Sequence, residues 1–327
     1  MRAPDVTAGV VGVGSMGQNH VQVYSELAST DLVGVADADR ERARSVAEEY
    51  GTSALSQVEL LERADVVSIA VPTKYHAPIV RDCIDAGVDV LVEKPFVDDV
   101  EVGRELAAYA DERDVVLQVG HIERFNPAVS ALFDLLSDIE PVAVTANRLG
   151  PPLEGRQSGD DVVMDLMIHD IDVLLAMAGS EIASLSATGT EDQRYATAQI
   201  AFEDGLVSTL RASRITQRKI RTLEITAEEC LVNIDYIDQS VRIHRQSHPE
   251  YRRDDGTIRY RHESVTERPM VNTGEPLKRE LQSFVEASVN GDEPVVTAED
   301  GIRAIEVAQR IRDEASGKRP EQIEARW

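Results

Sequence analysis

The chain has 327 residues, of which 59 are Asp or Glu and 34 Lys or Arg, giving a formal charge of −25 at pH 7. A field of that sign repels phosphate backbones and anionic lipid, which sets nucleic-acid and membrane-surface binding aside, and no run approaches the ~18 uninterrupted apolar residues of a spanning helix. With 42% hydrophobic residues over this length there is material for two cores, so two domains are expected, 1–122 and 123–327.

In chain order, short β-branched runs at 8–13, 32–36, 65–71, 89–93 and 115–119 alternate with amphipathic stretches, among them one carrying Val102, Leu106 and Tyr109 on a single face. Strands and helices in alternation, with strands apolar throughout, predict a doubly wound α/β domain around a parallel sheet. Beyond Gly120 come a helix over 126–136, a strand over 142–148, a Gly/Pro-rich loop over 150–159 and an apolar helix over 162–178. Strand-like runs then follow one another at 182–188, 195–202, 206–213, 221–226, 231–236 and 241–245, which predicts an α+β domain with an antiparallel sheet. The charged stretch 248–267 is expected as a solvated loop or hairpin. Two helices close the chain, 277–289 and one starting near Thr297, a plausible N-cap, and ending before Gly317.

The first strand ends in Gly12-Val13-Gly14-Ser15-Met16-Gly17 and an amphipathic helix follows. Such a turn lets a pyrophosphate approach the helix N-terminus, where free N–H groups and the dipole hold it. An acid, Asp37, closes the second strand, 20 residues past Gly17, and would accept the adenosine ribose hydroxyls, which favours NAD over NADP. Asp37 could instead cap the next helix, for which Asp39 is an equal candidate, and Arg40 could pair with a 2′-phosphate.

Val92-Glu93-Lys94-Pro95 ends the strand at 89–93, at the carboxyl edge of the sheet where open α/β folds bind their ligands. The cations divide into 29 Arg and only 5 Lys, so Lys74 and Lys94 are uncommon here. An ammonium at Lys94 can hydrogen-bond a substrate hydroxyl and stabilise a developing oxyanion, the alternative being a surface pair with Glu93. The acid-rich, lysine-poor balance points to a high-salt cytoplasm, where charge repulsion is screened within about 3 Å at molar salt. The melting temperature is therefore expected to rise in molar KCl; a thermal scan that stays flat or falls overturns that reading.

Asp165, His169 and Asp172 fall at i, i+4 and i+7, one stripe of an otherwise apolar helix. A histidine with a carboxylate one turn away can take a proton from an alcohol. The alternative is a buried histidine satisfied by its neighbour. The stripe has one His and no Cys, so no metal site is expected. Thr73 and His76, after the strand at 65–71, could face a cofactor or merely shape the turn. Arg124 could bind a diphosphate or a carboxylate or form a hinge salt bridge; Asn126 and Arg148 are further substrate candidates, with Asp172. Cys83 and Cys230 sit in apolar runs and read as core hydrophobes in a reducing compartment. With no basic leader before Ala8, a soluble cytoplasmic protein is expected.

The glycine turn, Glu93-Lys94-Pro95 and Asp165-x-x-x-His169, in that order, resemble the glucose-fructose oxidoreductase and inositol dehydrogenase (Gfo/Idh/MocA) family across the whole chain. The resemblance implies an N-terminal Rossmann domain and a C-terminal α+β domain with a large, mainly antiparallel open sheet that commonly mediates homodimers or homotetramers. It implies oxidation of a sugar hydroxyl by NAD(P), with Lys94, Asp165 and His169 as catalytic residues and Gly12, Gly14, Ser15, Met16, Gly17, Asp37, Thr73, His76, Glu93 and Lys94 around the cofactor. The chain departs from many members in having Ser158-Gly159-Asp160-Asp161 before the helix and Leu166-Met167-Ile168 between Asp and His. The run from Gly120 to Pro127 and that from Asp165 to Asp172 look more like the nucleotide-sugar branch, UDP-N-acetylglucosamine 3-dehydrogenases. A free-polyol or inositol dehydrogenase and a non-catalytic NAD-dependent sensor are the alternatives.

Overall fold

The computed structural model describes residues 6–152, 161–246, 250–254, 257–261 and 264–316. The chain divides into two units, one running to Phe125 and taking in Gly274–Glu306, the other holding Asn126–Thr273 and the chain from Val307.

In the first unit, β1 (Val6–Val11), α1 (Ser15–Glu26), β2 (Thr30–Ala36), α2 (Arg40–Tyr50), α3 (Gln57–Leu61), β3 (Val66–Ile69), α4 (His76–Ala86), β4 (Asp89–Glu93), α5 (Val100–Glu112) and β5 (Leu117–Gly120) follow in turn. The five strands pair in parallel in the order β2-β1-β3-β4-β5. Val66, Val67 and Ile69 of β3 are fully buried, as strands covered on both faces must be. The expected doubly wound sheet is present.

The second unit opens with α6 (Pro127–Leu135) and β6 (Pro141–Leu149), then a π turn over Val163–Met167 that runs into α7 (Ile168–Met177). The strands β7 (Ile182–Gly189), β8 (Tyr195–Phe202), β9 (Val207–Ser213), β10 (Ile220–Ala227), β11 (Leu231–Asp235) and β12 (Ser240–Gln246) follow. Next come β13 (Glu250–Asp254) and β14 (Thr257–Arg261), which pair with each other, and β15 (Ser264–Glu267). The eight-stranded sheet has the order β15-β12-β11-β10-β6-β9-β8-β7. It is antiparallel except for β6 against β9. That pair is parallel because α7 intervenes between β6 and β7, so the meander β7-β8-β9 is laid beside β6 after a helical crossover.

The stretch expected as a loop or hairpin holds the β13–β14 hairpin and also β15, which extends the sheet by pairing with β12. From residue 153 to 160, the Gly/Pro-rich loop and Ser158-Gly159-Asp160 lie outside the described residues. The closing helices are α8 (Pro276–Asn290) and α9 (Ala298–Ala315). Thr297 caps α9 as expected: its hydroxyl accepts from Asp300 N at 3.1 Å while Asp300 Oδ2 accepts from Thr297 N at 3.0 Å.

The structure differs from the expected 1–122 and 123–327 division in where α8 belongs. Leu277, Leu281, Phe284 and Val285 on one face of α8 join the core of the first unit, with Val21, Tyr24 and Leu91. Burying a helix's apolar stripe outweighs its position in the sequence. Both cysteines are free and buried, and burial pushes the Cys83 thiol up to about 12. Among the described residues no helix is long and apolar enough to cross a membrane, and no group of three metal-ligating side chains occurs.

Candidate active site

Gly12 adopts a φ of 88°, and a Cβ there would lie 2.7 Å from the Ala70 carbonyl oxygen. A Cβ on Gly17 would run into the carbonyl oxygen of Gly12 itself. These two glycines are therefore needed by the turn. Gly14 is different: it is the N-cap of α1, offers no side-chain cap, and a Cβ there would meet nothing nearer than an Arg42 guanidinium nitrogen at 4.0 Å. Ser15 and Met16 follow, exposed, in the first helical turn. The first N–H groups of a helix have no partner within it, and with no side-chain cap at Gly14 they suit an approaching pyrophosphate. Gly14→Ala is accordingly expected to fold normally but bind dinucleotide more weakly, whereas Gly17→Ala destabilises the unit; thermal melts beside a fluorescence titration with NAD separate the two, and equal effects from both would contradict this division.

Asp37 Oδ2 accepts from Val13 N at 2.8 Å and its Oδ1 from Asp39 N at 2.8 Å, so it fixes the glycine turn from the end of β2. Asp39, not Asp37, caps α2, accepting from the N–H groups of Glu41 and Arg42. Those bonds, with the Arg42 backbone N–H first and its guanidinium next, hold Asp39 below the usual carboxylate range. Arg40 is exposed. The cation beside Asp37 is Arg42, at 3.9 Å.

Two loops at the carboxyl ends of β3 and β4 are fastened together. His76 is buried, with Nε2 2.8 Å from Val71 O and Nδ1 3.0 Å from Pro95 O, so both ring nitrogens are taken up by backbone. His76 braces the loops and has no ring nitrogen left for a cofactor. Thr73 is half-buried in the 3-10 turn before it, and Lys74 lies over the Tyr75 ring at 4.8 Å. Glu93 is buried; its Oε1 meets His20 Nε2 at 3.0 Å and its Oε2 accepts from Lys94 N at 3.3 Å. His20 lies on the inner face of α1, so one carboxylate ties the cofactor helix to the backbone of Lys94, whose side chain is half-buried.

In the second unit Asp165 lies in the π turn and His169 in the first turn of α7, both half-buried, with Asp172 buried. Single-turn π insertions recur at functional sites because they re-aim side chains. Asp165 Oδ2 pairs with the guanidinium of Arg214, which follows β9. Asp161 accepts from Val163 N at 2.8 Å just upstream, and its burial raises its carboxyl above the usual range.

The four substrate candidates are placed as follows. Arg124 Nη2 lies 3.5 Å from Asp300 Oδ1, a salt bridge within the first unit. Asn126 caps α6 through Ala128 N and donates to Tyr236 O at 3.1 Å. Arg148 makes a two-pronged contact with Asp170, Nε to Oδ2 at 2.8 Å and Nη2 to Oδ1 at 2.9 Å, with both residues 1% exposed. Arg148 and Asn126 thus serve the interior of the unit, and neither is turned toward solvent. Asp172 is likewise buried.

Residues 6–121 match the family described as the oxidoreductase family, NAD-binding Rossmann fold, and residues 140–232 match the GFO/IDH/MocA C-terminal domain. A UDP-N-acetylglucosamine 3-dehydrogenase from Acidithiobacillus ferrooxidans is 36% identical over 255 residues, 76% of this chain and 78% of its own length. The chain belongs to the Gfo/Idh/MocA family. The solved structure of UDP-N-acetylglucosamine 3-dehydrogenase GnnA from the same organism matches this Gfo/Idh/MocA protein with a TM-score of 0.86 at 31% identity, covering 95% of this chain and 98% of its own. A scyllo-inositol 2-dehydrogenase (NAD(+)) from Bacillus subtilis is 26% identical over 354 residues, covering 98% of this chain and 97% of its own.

As a member of the family the protein is an oxidoreductase with a Rossmann unit for a nicotinamide dinucleotide. The open Gly14 corner, the uncapped N-terminus of α1 and the Asp37 carboxylate beside it fit that group. Two residues outside the expected set, Arg214 and His20, pair with candidate site residues. Arg214 is 49 positions from Asp165, so no local spacing could join them. His20 follows Gly17 by three residues on the same buried face of α1, a spacing visible in the sequence.

Proposed function

We propose that the protein oxidises the 3-hydroxyl of UDP-N-acetylglucosamine, or of a related UDP-hexosamine, to the ketone with NAD. The observation that carries this reading is the likeness to the Acidithiobacillus enzyme, which is 36% identical in sequence and spans 95% of this chain in structure. It is supported by Lys94, Asp165 and His169 standing at the family's motif positions. Gly12, Gly14, Ser15, Met16 and Gly17 hold the dinucleotide's pyrophosphate, Asp37 its adenosine ribose, and Thr73 with the Glu93–Lys94 backbone its far end. The Asp37 carboxylate repels a 2′-phosphate, which sets the preference for NAD. When bound, the cofactor supplies the acceptor for the hydride.

The chain's own residues do the rest. His169 takes the proton of the sugar hydroxyl. Lys94 Nζ donates to the same oxygen and stabilises its charge as the carbonyl forms. Asp165, held by Arg214, supplies the negative charge that stabilises the imidazolium. Copies of the chain associate through the open face of the eight-stranded sheet as a homodimer or homotetramer, a state that sedimentation reads directly.

NADH absorbance is expected to appear with UDP-N-acetylglucosamine and NAD, faster than with NADP, and not with inositols. The 26% identity to the inositol dehydrogenase over 98% of the chain favours a second reading, oxidation of a free polyol. Turnover of scyllo-inositol without turnover of any UDP-hexosamine would replace the first reading by the second.

A further inference from the structure

The geometry points to residues 211–221 of the second unit as the subsite for the diphosphate of a nucleotide-linked sugar. The inference rests on the reading above for the sugar, and on charge and placement for the anion.

The first observation is compositional. Between Asp204 and Glu224 there is no acidic residue, although the chain has 59 in 327, and Arg211, Arg214, Arg218, Lys219 and Arg221 fall within eleven positions. Lys219 is one of only 5 lysines. The second is where the fold puts this segment. It closes β9, turns, and opens β10, with the end of β6 between the two: Arg148 of β6 is in register with Ala212 on one side and Arg221 on the other. Arg148 grips Asp170, the residue after His169, and Arg214 grips Asp165. Two ion pairs therefore bind this edge of the sheet to the π turn and helix that carry His169.

Those pairs neutralise Arg148 and Arg214 but leave other charge uncompensated. Arg218 and Lys219 are exposed in the turn, and neither has an ion-pair partner among the described residues. Adjacent cations without a carboxylate are unexpected in a chain of −25. The turn that presents them is well held: Thr216 N donates to Gly150 O at 3.0 Å, Gly150 N to Ser213 O at 2.9 Å, and Ile215 N to Ser213 Oγ at 3.1 Å. A preorganised turn with two uncompensated cations, tethered to a proton-accepting histidine, suits a substrate with an oxidisable hydroxyl at one end and a diphosphate at the other. A neutral polyol would leave these charges without a use.

The test is a calorimetric titration of the full-length protein with UDP, which needs no turnover. The double variant Arg218→Gln/Lys219→Gln is expected to raise the Kd for UDP at least tenfold, roughly one order of magnitude being the worth of a lost charge-assisted hydrogen bond. The swap Arg218→Lys/Lys219→Arg keeps binding, and Arg81→Gln/Arg113→Gln, which removes the same two charges from exposed positions on the first unit, leaves it unchanged. Inorganic pyrophosphate is expected to compete with UDP. In turnover, the loss falls on KM for the UDP-sugar. UDP affinity unchanged in the double variant overturns the subsite even where UDP-N-acetylglucosamine is turned over. UMP binding as tightly as UDP overturns the diphosphate assignment. UDP binding that the double variant abolishes, in a protein that oxidises no UDP-hexosamine, upholds the subsite and refutes the proposed sugar.

Discussion

On the proposed mechanism, His169→Ala and Lys94→Ala are each expected to lower kcat by ~10²–10⁴-fold, the range for removal of one positioned proton-transfer or oxyanion-stabilising group. Both side chains are half-buried, so truncation leaves no large cavity and the melting temperature stays near that of the wild type. The Lys94 backbone is held independently of its side chain, by Glu93 Oε2 at its N–H and by His76 at the carbonyls of Pro95 and Phe96. For that reason Lys94→Ala should retain NAD affinity while losing turnover. Combining the two changes should cost less than the sum of their separate effects, because groups proposed to serve the same chemical step are not independent. Near-full turnover in either single variant, at matched melting temperature, removes that residue from the mechanism.

Asp165→Asn is expected to behave differently. It removes the partner of Arg214 as well as the negative charge proposed to stabilise the His169 imidazolium, so it should lower both kcat and stability. A loss of turnover with no loss of stability would show that the ion pair contributes nothing to the fold.

The alternating strand-helix order was legible because each buried strand is a short β-branched run and each surface helix has a 3.6-residue apolar stripe. β4 and β8 fall on the expected residues, 89–93 and 195–202. The elements that escaped are those decided by long-range partners. β15 is a four-residue exposed strand, Ser264–Glu267, whose pairing with β12 no local pattern announces. The π turn at Val163–Met167 lies inside a run that reads as one continuous apolar helix. At the site, the glycine turn was legible because its sequence is its geometry. Arg148 was not: its burial goes with a pairing to Asp170, 22 positions away, which no local pattern announces.

That buried pair sets the largest expected loss of stability. Arg148 and Asp170 are each 1% exposed, joined by two hydrogen bonds, and the guanidinium also lies 5.2 Å from the centre of the Tyr236 ring. Arg148→Met leaves the Asp170 carboxylate buried without its cation, which typically costs about 3–5 kcal/mol. Against a domain stability of roughly 5–15 kcal/mol that is enough to populate the unfolded second unit at moderate urea. Replacing both residues, Arg148→Met with Asp170→Leu, removes the charges together and should recover most of the loss, since two desolvated charges and their attraction nearly cancel. Urea titrations of the two variants measure this, and a double variant as unstable as the single one would sink the account. The same pair of proteins decides whether Arg148 also binds substrate: a double variant that folds and keeps its KM assigns the arginine to the core alone, and one that folds with KM raised returns it to the substrate.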